Sequence, residues 1–490
     1  QPAMMELVEH PPAASPRHDH VEGAPTVVTN NSSLGSHNLI RHDTTHVHHE
    51  VPVLSPFGAA TALLKSMIGS GILALPWALG RFGVVTGVIG MVIVACMNVA
   101  GIRLLTACRL KLWEMDAQPA PSLQTGGEDG RGEGEGASPH DRKELLNTRD
   151  RDAVTLNPYE EIAQRVVGPR FAFVCNMLLI FTQLGVCIAY TDIVSETISE
   201  ITPQTSRGLI ILGLWVLLTG CGFLRGLSDV SWLATAGLLC YGFVFLSLFV
   251  HGLPQVAERA EAIATGDQDP GGGLVLADWS GFGWYFGISM FAFEGVGTVL
   301  PIVEEMRTFD RPERFVRVVH ITYAIAFVLY TSIGLLGYCS YLEDTEDVIL
   351  YNFPEGTLTT VTQRAMAVMF VFTFIVQIYP IHHMADEWYA VLMEEDAEAD
   401  SFAEKVVLRA SVTLVPCFIA WVAEDVHIVL DIVGSVSFSF LGIIAPSYMY
   451  QRLYGSQVTF WPKVGMVGLI ACGILGGTVG AVSPFLLSRR

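Results

Sequence analysis

From residue 57 to residue 487 the chain is a series of apolar runs, each about 20 residues long, joined by polar stretches. In hydrocarbon, every backbone N–H and C=O must find its partner within the protein. Runs of this length are therefore read as membrane-spanning helices, at 57–80, 84–108, 170–195, 208–225, 229–252, 282–302, 316–341, 359–384, 405–423, 427–450 and 461–487. The expected fold class is an all-α membrane protein with eleven transmembrane helices.

Composition agrees with that class. Hydrophobic residues make up 51% of the chain and charged residues only 16%, where soluble domains run near 25%. The net charge of −20 is carried mostly by tails and loops, where it solvates. No basic stretch points to nucleic acid. The nine cysteines sit almost entirely in apolar runs without paired spacing, so neither a structural disulfide nor a zinc site is expected. The opening residues Gln1-Pro2-Ala3-Met4-Met5 carry no signal peptide and read as a processed or truncated chain, which leaves insertion to the first span.

The polar segments are distinctive. Residues 1–56 form a His-rich tail (His10, His18, His20, His37, His42, His46, His48, His49) expected to be disordered; their spacing is too irregular for a metal site. The loop 111–158 is Gly/Glu-rich and also expected to be disordered. It contains Asp141-Arg142-Lys143-Glu144-Leu145-Leu146, the acidic dileucine pattern, so sorting adaptors are candidate partners through Asp141, Leu145 and Leu146. Asn157 to Gly168 reads as an amphipathic helix on the inner surface. Placing the N-terminus in the cytosol gathers Arg109, Lys111, Arg165, Arg317, Lys405 and Arg452 on the inside, a strong positive-inside bias.

Two spans are interrupted at glycine. The first reads Gly69-Ser70-Gly71-Ile72-Leu73-Ala74-Leu75-Pro76; the sixth reads Phe291-Ala292-Phe293-Glu294-Gly295-Val296-Gly297, followed by Val299-Leu300-Pro301. Unwound backbone at membrane depth survives only where it lines a protein cavity. Paired Gly/Pro interruptions in two halves of a polytopic chain point to a transporter's substrate site.

These same residues resemble a known family. Gly69 to Pro76 resembles the first-helix signature of the amino acid/auxin permease family, and Phe293 to Pro301 the sixth-helix signature of its proton-coupled amino-acid transporter branch. Tyr159 to Gly168 resembles the lead-in to helix 3, and Gly434-Ser435-Val436-Ser437 with Pro446 resembles helix 10. The resemblance implies a LeuT-type inverted repeat of five plus five helices. The first repeat would cover 57–252, an extracellular loop 253–281, the second repeat 282–450, and helix 11 with a short C-terminus 451–490. The chain departs from the branch at Ala62, where some relatives carry a histidine three residues before the helix 1 lysine, here Lys65. It also departs at His382 and His383 on helix 8, and by having no cysteine in the outer loop.

An α-amino acid presents a carboxylate and an ammonium on one carbon. Amides of Gly69, Ser70 and Gly71, at the start of a half-helix, answer the carboxylate. Carbonyls freed near Phe291, Ala292 and Phe293 answer the ammonium, with Phe293 a wall of the side-chain pocket. Ser435 and Tyr379 are further substrate-site candidates. Glu294, an acid near mid-span, needs a partner or a proton and is a coupling candidate together with Lys65. A Gly-Ser packing notch, ordinary aromatic packing at Phe293, a structural ion pair at Glu294 and snorkelling of Lys65 are the corresponding bland readings. The expected function is secondary active transport of neutral amino acids by alternating access, with no cofactor and H+ as the driving ion. Na+ coupling and an amino-acid receptor with little transport are the alternatives, and an enzyme is not expected. Plasma membrane and vacuolar or lysosomal membrane are both open.

Overall fold

The computed structural model describes residues 54–117, 157–223, 231–265, 273–306, 312–393, 402–423 and 426–487. The His-rich tail to residue 53 and the dileucine segment lie outside the described residues. Helices dominate, and no strand occurs among the described residues. In chain order they are α1 (Pro56–Met67), α2 (Gly71–Phe82), α3 (Val84–Ala117), α4 (Pro158–Val166), α5 (Pro169–Ile201), α6 (Arg207–Cys221) and α7 (Ser231–Thr265). There follow α8 (Phe282–Ala292), α9 (Val296–Glu305), α10 (Pro312–Tyr341), α11 (Thr357–Met393), α12 (Phe402–Val422), α13 (Val426–Val433), α14 (Ala445–Tyr454) and α15 (Phe460–Leu487). Among the described residues, nine helical stretches are long and apolar enough to cross a membrane, ten with the bent pair α1–α2, and α6 is a shorter apolar helix.

Local chemistry sets the ends. Ser55 accepts the Gly58 amide at 3.0 Å, with Pro56 in the first turn of α1. Asn157 caps α4 in the same way, at 3.0 Å from the Tyr159 amide. Gly83, at φ 92°, joins α2 to α3 in a single residue; a Cβ there would lie 2.6 Å from the Ala277 amide nitrogen.

Several helices outrun their apolar stretch. α3 continues to Ala117, so residues 111–117 are helical rather than loop, and α7 continues to Thr265, which takes 253–265 out of the expected outer loop. α11 likewise extends to Met393. Hydropathy marks where lipid ends, whereas backbone bonding carries the helix on into the polar layer. The tenth span is not a plain α-helix. Between α13 and α14 it winds wide, as two π-helical turns at Gly434–Phe438 and Phe440–Ile444.

The interrupted spans sit at the centre. Of the sixth span's apolar stretch 78% is buried, against 22% for the spans built on α12 and α15. α2 packs between α8 and α10, while α8 also lies against α13, the first π turn and α15. α5 and α11 form the adjoining pair, and α4 lies against α5.

Candidate functional site

The first break spans Ile68, Gly69 and Ser70, and α1 meets α2 there at a bend of 61°. Ile68 is extended (φ −78°, ψ 97°), which ends α1 and frees its last carbonyls. The second break spans Phe293 to Gly295, between α8 and α9.

The two breaks meet. A Cβ on Gly71 would lie 2.7 Å from Phe291 Cδ1 and 3.0 Å from Ala292 Cα. A Cβ on Gly295 would lie 3.2 Å from Leu63 Cδ1 and 3.3 Å from Met67 Cγ. Glycine at 71 thus lets main chain approach main chain, and glycine at 295 lets the second break lie against the side chains of α1. Ser66 Oγ and Thr298 Oγ1, one from each span, are hydrogen-bonded at 2.8 Å.

α10 supplies the supports. Tyr330 donates to the Met67 carbonyl at 2.8 Å and Tyr323 to the Phe293 carbonyl at 3.0 Å. Two helical turns apart, they share one face of α10, so one helix satisfies one freed carbonyl at each break. Both rings are buried and pack on Phe293, with Tyr323 stacked at 6.0 Å and Tyr330 at 4.9 Å. Tyr190 of α5 completes the wall: it stacks on Phe370 at 4.7 Å, and its hydroxyl lies 3.7 Å from where a Gly69 Cβ would be.

Gly69, Ser70, Gly71, Phe291, Ala292 and Phe293 are therefore brought to one buried junction. Ser70 is buried and its hydroxyl has no partner, leaving a donor at the break unused by the fold. Ser435 lies beside the junction but turns its hydroxyl to Asp431 Oδ1 at 3.1 Å; Ser437, on the same π turn, is buried with its hydroxyl unpartnered. Glu294 Oε1 accepts the Gly297 amide at 3.3 Å and so caps the start of α9. Lys65 lies half-buried in the last turn of α1. Tyr379 is 47% exposed on α11 and is not brought to the junction. His382 is buried against Thr413 of α12, at 3.2 Å.

Side-chain contacts link the helices on either side of the junction. On the side of the α3 C-terminus, Arg109 bridges Glu161 of α4 and Glu304 of α9, each at 2.6 Å, and Tyr159 donates to the Leu441 carbonyl at 2.7 Å. On the opposite side, Trp77 of α2 meets His427 at 4.3 Å and Trp284 at 5.5 Å, and His427 Nδ1 reaches Asp347 Oδ2 at 3.3 Å. A groove of about 650 Å³ lies apart from the junction, on the outer faces of α7 and α10 between Phe245 and Leu336; its lining is almost wholly apolar.

Reasoning from the sequence missed Tyr190, Tyr323, Tyr330 and Asp431. The signal for each was available, a hydroxyl or a carboxyl inside an apolar run.

An all-helical, polytopic membrane protein whose two interrupted spans meet at a buried, backbone-lined centre has the architecture of a membrane carrier. The chain belongs to the transmembrane amino acid transporter family, whose model matches residues 53–119 and 144–484. It is 22% identical to amino acid transporter AVT3B of Arabidopsis thaliana over 90% of this chain and 96% of that protein. It is 24% identical to amino acid transporter AVT3A of the same plant, over 86% of this chain and 88% of that protein. Vacuolar amino acid transporter 3 of Saccharomyces cerevisiae is 25% identical over 63% of this chain and 44% of that protein. Family membership makes the chain an amino-acid transporter rather than an enzyme.

Proposed function

We propose that this chain carries small neutral amino acids by alternating access, driven by protons, in a vacuolar or lysosomal-type membrane. The observation that carries the reading is the meeting of the two breaks at Gly71, Phe291 and Ala292. A zwitterion seated there finds amides of Gly69, Ser70 and Gly71 for its carboxylate and carbonyls at the end of α8 for its ammonium. The Phe293 carbonyl is held by Tyr323, so that hydroxyl must turn, or share the oxygen, when substrate enters. The side-chain wall is aromatic and aliphatic, which favours neutral side chains.

Glu294 and Lys65 are the charged residues of the coupling machinery in this reading. Glu294 binds the α9 amide end directly, so gaining or losing a proton alters the grip on α9. The vacuolar setting draws on the yeast relative's name, and Asp141, Leu145 and Leu146 would serve adaptor-dependent sorting to it.

Counterflow in proteoliposomes, with a panel of labelled amino acids under an imposed pH or sodium gradient, tests the reading. Neutral amino acids should exchange and accumulate with the pH gradient. Accumulation that follows sodium instead, or binding without exchange, overturns it.

A further inference from the structure

The tenth span carries an acid that the junction does not use. Asp431 of α13 is fully buried. Its Oδ1 accepts from Ser435, while Oδ2 is buried and makes no hydrogen bond within the distance and angle limits of one, Ser483 being the hydroxyl beside it. Glycines seal it in: a Cβ on Gly287 of α8 would strike Oδ1, one on Gly434 would strike the Gly287 carbonyl, and one on Gly480 of α15 would strike Ser435 Oγ. Ser483 of α15 closes the same face.

Three ionisable groups on the surrounding elements have partners elsewhere. Tyr285 of α8 donates to the Gly87 carbonyl, His427 of α13 holds Asp347, and Asp192 of α5 pairs with Arg207. Lys463 lies at the far end of α15 from Ser483. Among the described residues no cation pairs with Asp431. A bare carboxylate in such a place costs several kcal/mol, and a bound proton removes the charge.

Geometry links this carboxyl to the substrate junction. Gly287, which closes over Asp431, lies one turn before Phe291 on the same helix, and a Gly434 Cβ would lie 3.0 Å from the Phe291 amide nitrogen. α8 thus touches both groups, closing over Asp431 at Gly287 and meeting Gly71 at Phe291 and Ala292.

Resting on the proton-coupled reading above, we propose that Asp431 is the carboxyl that carries the coupled proton. It takes one proton from water as α8 seats on the tenth span and returns it to water on the other side when α8 lifts. Glu294, engaged with the α9 amide, tunes the cycle rather than carrying the proton.

The test compares wild type, D431N and D431E in proteoliposomes. L-alanine is the probe or, should wild type not exchange it, the panel member exchanged fastest. With one proton per substrate, wild type accumulates about tenfold per pH unit imposed. D431N should retain counterflow at equal pH but accumulate no more than with no gradient, and D431E should recover the drive with a displaced pH profile. D431N driven as well as wild type overturns the proposal and leaves the proton-coupled reading intact. Wild type without gradient drive overturns the reading itself. Should D431N lose counterflow too, carbodiimide labelling of wild type decides. An adduct mapped to Asp431 that grows on acidification supports the proposal, and its absence at every pH overturns it.

Discussion

Replacing Gly71 tests the closed junction most simply, because the new atom is the one whose surroundings are known. In G71A the Cβ lies 2.7 Å from Phe291 Cδ1, 3.0 Å from Ala292 Cα and 3.1 Å from Ala292 N. The ring edge can swing away, but the two main-chain atoms of α8 cannot move without moving the helix. Overpacking a tight site costs about 1–3 kcal/mol. At about 2 kcal/mol, the closed arrangement loses roughly 30-fold in population against the open ones, at tenfold per 1.4 kcal/mol. In the proposed alternating-access cycle each turnover passes through closure, so maximal counterflow should fall by about that factor in G71A. G71V adds two methyl groups and should abolish it. Gly468 of α15, with nothing within 4 Å of its Cβ position, is the control: G468A should match wild type. Size-exclusion profiles and thermal unfolding show whether the variants remain folded. G71A or G71V with counterflow within twofold of wild type, in folded protein, would refute close approach of the breaks as a step in transport.

Three further outcomes follow from the same geometry. Y330F strips the donor from the buried Met67 carbonyl, a loss of about 1–3 kcal/mol, and should lower the unfolding midpoint and slow counterflow; Y323F should in addition change apparent substrate affinity, because the carbonyl it holds is in the proposed ammonium site. E294Q keeps an acceptor for the Gly297 amide and should fold normally, flatten the pH dependence of uptake and retain gradient drive; an unaltered pH profile would remove Glu294 from the coupling machinery. R109A releases Glu161 and Glu304 together and should destabilise the protein in thermal unfolding, and R109K should not restore it, since one ammonium cannot replace a guanidinium that reaches two carboxylates through separate nitrogens.

What could be read in the sequence was whatever the bilayer dictates one residue at a time. The breaks at Gly69–Gly71 and Glu294–Gly297 announce themselves because glycine and proline are costly inside an apolar helix. Helix ends were less legible: α3, α7 and α11 outrun their apolar runs because the backbone ladder does not stop where lipid does. The π turns after Val433 leave no compositional trace, since a wider turn is chosen by packing on Gly287 and Phe291 rather than by local propensity. Tyr323 and Tyr330 look like ordinary aromatic residues until both breaks are placed against one face of α10. Asp431 was visible as a lone acid in the tenth run, but only the structure shows that it has no counter-charge and that α8 closes over it. Tyr379 illustrates the converse: position along α11 suggested a site residue, and its rotation about the helix turns it outward.

Hydrogen exchange followed by mass spectrometry, with and without a transported L-amino acid and with its D-enantiomer as control, reports on the main chain of both breaks at once. Substrate held by main chain should slow exchange at the amides of 68–73 and 292–297 and leave the outward α12 and α15 unchanged. Protection confined to other helices, or to the apolar groove between α7 and α10, would contradict it.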